Sequence, residues 1–332
     1  MNPIIIPGKL KKGDEIRVIA PSRSMSMLSD DTIFIAKQRL ESLGFHVTFG
    51  NNVLHQINKE YGCASVDERM EDLHAAFADP NVKGILTVLG GYNVNQLLDH
   101  IDYDLIRNNP KIICGFSDIT ALLNAIYAKT GLITYYGPHF SSFGMKQGFD
   151  YTLAYFKRML MDNDEVTVAD SDCWSDDSWF INQENREFIA NEGRLVLHSG
   201  FVEGRIIGGN LCTLNLLLGS EYMPDINDSI LFLEDDDLSK AEFLREFDRN
   251  LQALLHHAKG KRIKGIVLGR AQIKSCMSLE KWQMMLKLKP ELKHIPIMVN
   301  MNFGHTTPIF TFPIGGKARM DGRELILYDA VE

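Results

Sequence analysis

A serine in this chain stands at a turn of the kind that carries enzyme nucleophiles. Residues 111–115 form a largely apolar run that predicts a buried strand, and Phe116-Ser117-Asp118 turns sharply from it into a predicted helix. At such an elbow the serine hydroxyl is exposed at the carboxyl edge of a sheet, where the first N–H groups of the helix can hold an oxyanion. Ile119 stands where the common Gly-x-Ser-x-Gly pattern has its second glycine, which argues against an ordinary α/β-hydrolase. A simpler interpretation, that Ser117 and Asp118 only cap the helix, stays open.

Two further residues that follow predicted strands could complete a catalytic triad, since a nucleophilic serine needs a base and an acid that orients the base. His305 comes directly after one strand, and Gly304 before it lets the backbone approach closely. Glu234 ends another apolar strand, a position where a carboxylate is either catalytic or a helix cap. The N–H of Gly91, after a third strand, is a candidate oxyanion donor beside the N–H of Asp118, unless the glycine pair there only makes a tight turn.

The order of predicted elements places these residues at one edge of a sheet. Strands alternate with helices through the first half of the chain, which predicts right-handed crossovers and a mostly parallel, doubly wound sheet. Ligands bind such sheets at the carboxyl ends of the strands, where the loops at 20–22, 90–92 and 115–117 converge. The predicted fold class is therefore α/β. An N-terminal domain at residues 1–148 has a doubly wound, mostly parallel sheet. A linker helix and a long tryptophan-containing loop follow at 149–200. A smaller mixed α/β C-terminal domain at 201–332 carries the glutamate and the histidine.

The composition argues against several classes of partner. At 332 residues, 45% of them hydrophobic, the chain is long enough for two domains with sizeable cores. Its net charge of -8 argues against nucleic acid and anionic membranes, and leaves a single nucleotide-like ligand possible. We expect a cytoplasmic protein, because the sequence has neither a secretory signal pattern nor an apolar run that could span a bilayer. The five cysteines form no Cys-x-x-Cys pair and the acidic run at 235–237 lacks calcium-loop spacing, so we expect no metal and no cofactor.

Five motifs, taken in order, resemble those of the LD-carboxypeptidase family of serine peptidases, and the resemblance spans nearly the whole chain. They are Gly90-Gly-Tyr, Gly115-Phe-Ser117-Asp118-Ile-Thr, Gly204-Arg-x-x-Gly-Gly-Asn210-Leu, Leu231-Phe-Leu-Glu234-Asp and Gly304-His305. The resemblance implies a catalytic triad of Ser117, Glu234 and His305, with an oxyanion hole formed by the backbone of Gly91 and Asp118. It also implies an N-terminal α/β domain, a smaller C-terminal domain and a homodimer, with the triad assembled across the domain boundary.

Within that family, two features resemble the microcin C immunity branch more than the murein tetrapeptide carboxypeptidases. The chain reads Leu89-Gly-Gly-Tyr-Asn93 where the murein branch tends to read Arg-Gly-Gly-Tyr-Gly, and it has a longer segment around Trp174 and Trp179. Members of the immunity branch cleave the amide that joins an acidic aminoacyl group to a sulfamoyl or phosphoramidate adenylate. The resemblance implies that Trp174 and Trp179 stack on the nucleobase, which contributes ~1 to 3 kcal/mol per base. Packing of both tryptophans on the domain is the alternative.

The predicted function is therefore a serine peptidase or amidase that acts on a small aminoacyl-nucleotide or peptide substrate through an acyl-enzyme. Asn210 and Arg270 are candidate substrate-binding residues, and Arg270 is suited to bidentate bonding with a carboxylate, although both could be structural. Two alternatives stay open. One is a cytoplasmic murein LD-carboxypeptidase that releases D-alanine from tetrapeptides, and the other is a non-catalytic nucleotide-binding module.

Overall fold

The computed structural model describes residues 2–162, 165–258 and 262–329, which form two large sheets with helices packed around them. The α-helices are Asp30–Ser42 (α1), Val66–Ala78 (α2), Tyr103–Asn108 (α3), Ile119–Thr130 (α4), Asp150–Lys157 (α5), Leu211–Asn215 (α6), Phe243–His257 (α7) and Leu279–Lys287 (α8). The strands of the first half are Glu15–Ile19 (β1), His46–Phe49 (β2), Val82–Thr87 (β3), Ile112–Gly115 (β4) and Thr134–Tyr136 (β5). The later strands are Glu165–Thr167 (β6), Cys173–Trp174 (β7), Ile189–Ala190 (β8), Leu195–His198 (β9), Phe201–Asn210 (β10), Ser229–Glu234 (β11), Ile263–Gly269 (β12), Ile297–Met301 (β13), Phe312–Ile314 (β14), Lys317–Asp321 (β15) and Glu324–Tyr328 (β16).

The N-terminal sheet has six strands in the order β14-β5-β4-β3-β1-β2. Strands β1 to β5 pair in parallel, and β14 pairs antiparallel with β5. Every residue of β4 and β5 is buried, as expected for a parallel sheet covered on both faces. The predicted α/β class with a mostly parallel N-terminal sheet is confirmed.

The second sheet has eight strands in the order β6-β16-β15-β10-β11-β12-β13-β9. Its centre, β10 to β13, is parallel, and its flanks are antiparallel, so this sheet combines both kinds of pairing. Strand β11 is buried along its whole length and ends at Glu234, which is level with Asn210 at the end of β10.

The segment predicted as a linker and long loop is more structured than the sequence indicated. Strands β6 and β9 from this segment form the two edges of the second sheet, and β7 pairs with β8. Among the contacts that hold the tryptophan-bearing part, Arg186 Nε donates to both carboxylate oxygens of Asp177, at 2.8 and 2.7 Å, and Ser175 exchanges two backbone hydrogen bonds with Thr307. A local ion pair and backbone pairing with a residue far along the chain therefore order a stretch whose own composition is that of a loop.

The helix that follows the nucleophile packs against the second sheet. Gly208 and Gly209 in β10 have φ of 146° and 124°, and a Cβ on Gly209 would lie 2.5 Å from Thr120 Oγ1 in α4. Asn124 Nδ2 donates to Gly208 O at 2.8 Å, and the Asn210 N–H donates to Thr120 Oγ1 at 2.9 Å. The glycine pair therefore lets α4 sit close to the strand that ends at Asn210.

The two sheets bring the carboxyl ends of their parallel strands together. In the first sheet β4 ends just before Ser117, and in the second β11 ends at Glu234 and β13 ends shortly before His305. These three side chains form a hydrogen-bonded chain, so the candidate site lies where the two sheet edges meet. Within the described ranges, the helices lack the length and apolar character needed to cross a lipid bilayer.

Candidate active site

Ser117, His305 and Glu234 are linked by two hydrogen bonds. His305 Nε2 lies 3.0 Å from Ser117 Oγ, and His305 Nδ1 lies 2.7 Å from Glu234 Oε2. Since the carboxylate accepts from the Nδ1–H group, Nε2 of the neutral ring is left as the acceptor that faces the serine hydroxyl. Ser117 has φ of 60°, a left-handed conformation that is uncommon for a residue with a side chain and typical of a strained nucleophile elbow. This arrangement suits proton transfer from Ser117 to His305 during nucleophilic attack.

Acidic neighbours favour the protonated form of His305. Burial of the imidazole acts to lower its pKa, but the hydrogen bond and charge of Glu234, with Asp236 and Asp235 nearby, outweigh burial and raise the pKa to about 9. Burial, together with the charges of Glu234 and Asp236, raises the pKa of Asp235 to about 7. The site therefore stabilises His305 in its charged, imidazolium form.

The Glu234 carboxylate is held on both of its oxygens. Tyr136 Oη donates to Glu234 Oε1 at 3.0 Å, while Oε2 accepts from His305. The Tyr136 ring is fully buried and stacks on Phe312 with centroids 4.6 Å apart, so its hydroxyl has little freedom to move. Gly304, at φ of 107°, lies so close that a Cβ there would be 2.8 Å from Glu234 Oε2. This backbone approach requires glycine.

The glycine pair after β3 lies against the nucleophile elbow. A Cβ on Gly90 would be 2.9 Å from Ser117 Oγ and 3.6 Å from the backbone nitrogen of Asp118. The N–H groups of Gly91 and Asp118 donate to no acceptor in the part of the chain that the structure describes. Two unengaged N–H groups beside a serine hydroxyl are what an oxyanion hole requires.

The Asp118 side chain joins three loops and does not cap its own helix. Its Oδ2 accepts from Ser22 Oγ at 2.6 Å, from the Asn93 N–H at 2.9 Å and from the Val94 N–H at 3.0 Å. Burial raises the pKa of this carboxyl, and these hydrogen bonds counteract the rise. Asp118 therefore anchors the glycine loop to the elbow, and the capping interpretation of its side chain is wrong.

A cavity of about 430 Å³, the first cavity, opens on one side of Ser117. Trp179 lines it and is half-buried, with its ring edge-on to Phe180 at a centroid distance of 6.0 Å. Its charged lining is mixed: Arg23 and Lys274 are basic, and Asp176, Asp177, Asp236 and Asp237 are acidic. The first cavity therefore offers an aromatic surface beside the serine, with both basic and acidic side chains around it.

A second cavity of about 390 Å³ lies on another side of Ser117 and also reaches Gly91. Asn210 lines it, donating from Nδ2 to Asp235 Oδ1 at 3.1 Å and accepting at Oδ1 from the Thr213 N–H at 2.9 Å. The charged side chains among its described lining residues are all carboxylates: Asp118, Asp235, Asp236 and Glu246. This cavity therefore favours a ligand group that carries positive charge or donates hydrogen bonds.

Two family models match the chain and divide the site between them. The LD-carboxypeptidase N-terminal domain matches residues 16–137, which include Ser117, and the LD-carboxypeptidase C-terminal domain matches residues 203–320, which include Glu234 and His305. The two segments together make up more than half of the chain. The chain belongs to the LD-carboxypeptidase family. It is accordingly a serine hydrolase.

Individual members of the LD-carboxypeptidase family match this chain along nearly their whole length. YocD of Bacillus subtilis, named provisionally as a carboxypeptidase, is 51% identical over 313 residues, which are 94% of this chain and 95% of YocD. The crystal structure of an MccF-like protein from Bacillus anthracis is 54% identical, with a TM-score of 0.95 over 98% of this chain and 99% of that one. MccF, the microcin C7 self-immunity protein of Escherichia coli, has been solved with aspartyl sulfamoyl adenosine and with glutamyl sulfamoyl guanosine. The protein in each complex is 32% identical to this chain, with a TM-score of 0.86 over 98% of it. The match covers 100% of MccF in the adenosine complex and 98% of MccF in the guanosine complex.

In this MccF-like member of the LD-carboxypeptidase family, two residues predicted to bind substrate lie outside the lining of both cavities. Arg270 packs over the Trp174 ring at 4.7 Å, and its guanidinium donates to Asn191 Oδ1 and, at 3.4 Å, to Asn300 O. Trp174 and Arg270 are both buried, with 9% and 5% of their surface exposed. Their contacts support a structural role, holding the segment before β9 against the second sheet. Trp179 and Asn210, in contrast, do face cavities beside Ser117.

Several residues at the site were not predicted from the sequence. His139, Ser141 and Ser142 line the first cavity, and Tyr136 donates a hydrogen bond to the Glu234 carboxylate. All four lie at or just after the carboxyl end of β5. Ser117 was predicted from the same kind of position, just after the carboxyl end of β4. The same positional rule could have found them, because polar residues after a parallel strand reach the ligand-binding edge of its sheet.

Proposed function

We propose that this chain hydrolyses the amide that joins an acidic aminoacyl group to a sulfamoyl or phosphoramidate nucleotide. The observation that carries the proposal is Trp179, which lines a cavity that also contains Ser117 and His305. An indole at that place can stack on a nucleobase while the scissile amide reaches the serine. The aminoacyl sulfamoyl nucleosides bound by the relative MccF have the same two parts, a base and an acyl amide.

In the first half of the reaction, Ser117 Oγ attacks the acyl carbonyl carbon while His305 Nε2 takes the hydroxyl proton. The oxyanion that forms is held by the N–H groups of Gly91 and Asp118. The tetrahedral intermediate then collapses, the C–N bond breaks, and His305 returns its proton to the departing nitrogen. The products of this half are an acyl ester on Ser117 and a nucleotide that ends in a free sulfamoyl or phosphoramidate N–H₂ group.

In the second half, water repeats the attack on the ester. His305 removes one proton from the water, and the oxyanion again lies at the N–H groups of Gly91 and Asp118. Collapse breaks the ester bond, His305 protonates Ser117 Oγ, and the free amino acid leaves. Glu234 keeps the imidazole oriented and stabilises its charge in both halves, which is the role its 2.7 Å hydrogen bond to His305 supports.

The second cavity is the place that remains for the aminoacyl group when the nucleotide occupies the first. Its carboxylates, among them Asp235 and Asp236, can attract the α-ammonium of any aminoacyl group. They do not favour a second carboxylate on the ligand. The preference for an acidic acyl group therefore rests on the family resemblance and on the ligands of MccF, and the charge of this cavity does not add to it.

A murein carboxypeptidase that releases D-alanine from a tetrapeptide is the second candidate. It is favoured by the matched family models, which describe LD-carboxypeptidase domains, and it would use the same three residues. A murein tetrapeptide has no nucleobase on which Trp179 could stack. The two functions therefore differ in what occupies the first cavity.

Product analysis by mass spectrometry separates these candidates. The chain and its Ser117→Ala variant are incubated with aspartyl sulfamoyl adenosine, with leucyl sulfamoyl adenosine, and with a murein tetrapeptide. We expect release of free aspartate that falls by roughly six orders of magnitude in kcat in the variant, as loss of a triad serine can cause. Faster release of leucine than of aspartate would refute the acidic preference, and serine-dependent loss of D-alanine alone would replace the proposed function with the second candidate. Binding of the adenosine compounds without turnover would indicate the non-catalytic module.

A further inference from the structure

A buried arginine contacts two of the loops beside the nucleophile elbow. Arg69 lies in the first turn of α2 and is 2% exposed. Its Nη1 donates to Pro21 O at 3.0 Å and to Asn93 O at 3.1 Å. Its Nη2 donates to Gln96 Oε1 at 2.8 Å, and its Nε donates to Ser65 O at 3.3 Å. One planar guanidinium therefore joins α2 to both loops, and the proposed reaction does not use it.

The acceptors of Arg69 are all uncharged, although a buried charge is costly unless it is paired or fully hydrogen-bonded. In the described part of the chain, no carboxylate is in ion-pair contact with the guanidinium. Burial lowers the pKa of Arg69, and the negative charge of Asp118 is among the effects that oppose this. Asp118 is itself 3% exposed, and its carboxylate accepts from Ser22, Asn93 and Val94. Arg69 and Asp118 are therefore two buried, opposite charges that do not touch each other.

These two charges hold one peptide group from its two ends. The peptide bond between Asn93 and Val94 accepts at its oxygen from Arg69 Nη1 at 3.1 Å. The N–H of the same peptide bond donates to Asp118 Oδ2 at 3.0 Å. A peptide group is a strong dipole, positive at its N–H and negative at its oxygen, so this arrangement aligns the dipole with both charges. Rotation of the peptide would break both hydrogen bonds, and the two charges therefore fix its orientation.

The loop after β1 is held by the same two charges. Pro21 O accepts from Arg69, and Ser22 Oγ donates to Asp118 Oδ2 at 2.6 Å. This loop packs directly against Gly91, where a Cβ would collide with Ser22 Oγ. The position of the Gly91 N–H, a proposed oxyanion donor, therefore depends on both charges. We call Arg69 and Asp118 the charge clamp.

The charge clamp also limits the net charge beside the proposed oxyanion. The Asp118 N–H is the second proposed donor, so a buried carboxylate stands on the residue that has to hold a developing negative charge. Like charges repel each other, most strongly where water is excluded. The positive charge of Arg69 offsets that of the carboxylate, so the charge clamp orders the loops without adding a net negative charge.

We propose that Arg69 is a positioning residue of the oxyanion hole, which it serves by holding the loops at 20–22 and 90–94 between itself and Asp118. The inference rests on the proposed function, and it adds a residue that contacts no reacting group. It applies to both candidate functions, because acyl transfer from an amide or a peptide needs an oxyanion hole. The effect of Arg69 reaches the reaction through the Gly91 N–H, so it should appear in kcat and not in KM.

Arg69→Lys tests the charge clamp, since lysine keeps the positive charge but lacks the planar fork that reaches several acceptors at once. The matched control is Arg194→Lys. Arg194 is 4% exposed, donates from its guanidinium to Val168 O and Arg323 O, and is absent from the described lining of both cavities. Steady-state hydrolysis of aspartyl sulfamoyl adenosine is measured well below the melting temperature of each variant. We expect both variants to melt earlier, but only Arg69→Lys to lower kcat, by about 10- to 100-fold, with KM within about threefold of the wild-type value.

Gln96→Ala provides a milder test that leaves the buried guanidinium in place. It removes one acceptor of Arg69 from an exposed side chain, so it gives an answer even if Arg69→Lys does not fold. Its matched control is Asn95→Ala, at the exposed residue next to it. We expect Gln96→Ala to lower kcat by about two- to fivefold at constant KM, as loss of one hydrogen bond can do, and Asn95→Ala to change neither constant.

A folded Arg69→Lys variant that keeps the kcat of the wild-type chain would overturn the proposal. Equal losses of kcat in Arg69→Lys and Arg194→Lys would do the same, as would an effect on KM alone. If Arg69→Lys does not fold, equal kcat values for Gln96→Ala and Asn95→Ala would overturn it.

Failure of the proposed function has a different signature. The wild-type chain then hydrolyses the murein tetrapeptide and not aspartyl sulfamoyl adenosine, and the same variants test Arg69 on the tetrapeptide. A loss of kcat there in Arg69→Lys, but not in Arg194→Lys, would support the positioning role and refute the proposed substrate. Absence of turnover of both substrates would overturn the two proposals together.

Discussion

Replacing Asp118 by alanine tests whether the glycine loop is held in a catalytic position. The substitution removes the single oxygen that accepts hydrogen bonds from Ser22, Asn93 and Val94. Two of these donors are backbone N–H groups, and leaving each without an acceptor costs about 1 to 3 kcal/mol when it is buried. The Asn93 group is only partly buried, so we expect a loss of roughly 3 kcal/mol in the free energy of unfolding.

The same substitution should lower kcat more than it raises KM. Without its anchor the loop no longer places the Gly91 N–H at the oxyanion, and loss of one such donor costs about 10² to 10³ in kcat. The Asp118→Asn variant is the matched control, because its amide oxygen can still accept from Asn93 and Val94. We expect it to keep kcat within about tenfold of the wild-type chain, since only the charge of the acceptor changes.

The assay is steady-state hydrolysis of aspartyl sulfamoyl adenosine, with the melting temperature measured on the same samples. A folded Asp118→Ala variant that keeps kcat within about twofold of the wild-type chain would refute the anchoring role. A loss of activity that parallels the loss of folded protein would show that Asp118 acts on stability alone. Measurement well below the melting temperature of each variant separates these two results.

Three further predictions concern the base, its acid and the tryptophans. The pKa of His305 is raised to about 9, and the proposed mechanism needs the neutral ring. We therefore expect kcat/KM to rise about tenfold per pH unit up to pH ~9. A value of kcat/KM that does not change from pH 6 to 9 would contradict this. Tyr136→Phe removes a donor from Glu234, so thermal melts should show a loss of about 1.5 to 3 kcal/mol. Glu234 then attracts the histidine proton more strongly, and the midpoint of the pH profile should move upward. Trp179→Ala should raise KM by about 5- to 150-fold, which corresponds to the loss of about 1 to 3 kcal/mol of base stacking. Trp174→Ala should instead lower the melting temperature, with little change in KM.

The fold class was predictable because it depends on local patterns. Apolar runs of four to six residues that alternate with helical periods can only be arranged as crossovers in a parallel sheet. The nearness of Ser117, Glu234 and His305 follows from the same rule, since each comes at or after the end of a parallel strand. Their catalytic roles stay a prediction that the variants above test.

What the sequence could not show depends on contacts between distant residues. Arg270 follows a strand, as a ligand-binding residue would, yet it packs over the Trp174 ring, and Asn191 and Asn300 provide acceptors for it there. Neither acceptor is near Arg270 in sequence. Local composition likewise gave no sign that β6 and β9 would join the second sheet, because edge strands gain their stability from the neighbour they pair with.

The division of Ser117 and His305 between two sheets has a consequence during protein synthesis. Ser117 and His305 are 188 residues apart, and their side chains meet only when both sheets have formed. A ribosome that has already synthesised the turn at Ser117 must still translate all of β6 to β13 before it reaches His305. Nascent and prematurely terminated chains therefore carry Ser117 without the imidazole that contacts it in the complete fold, and under the proposed mechanism they would be inactive.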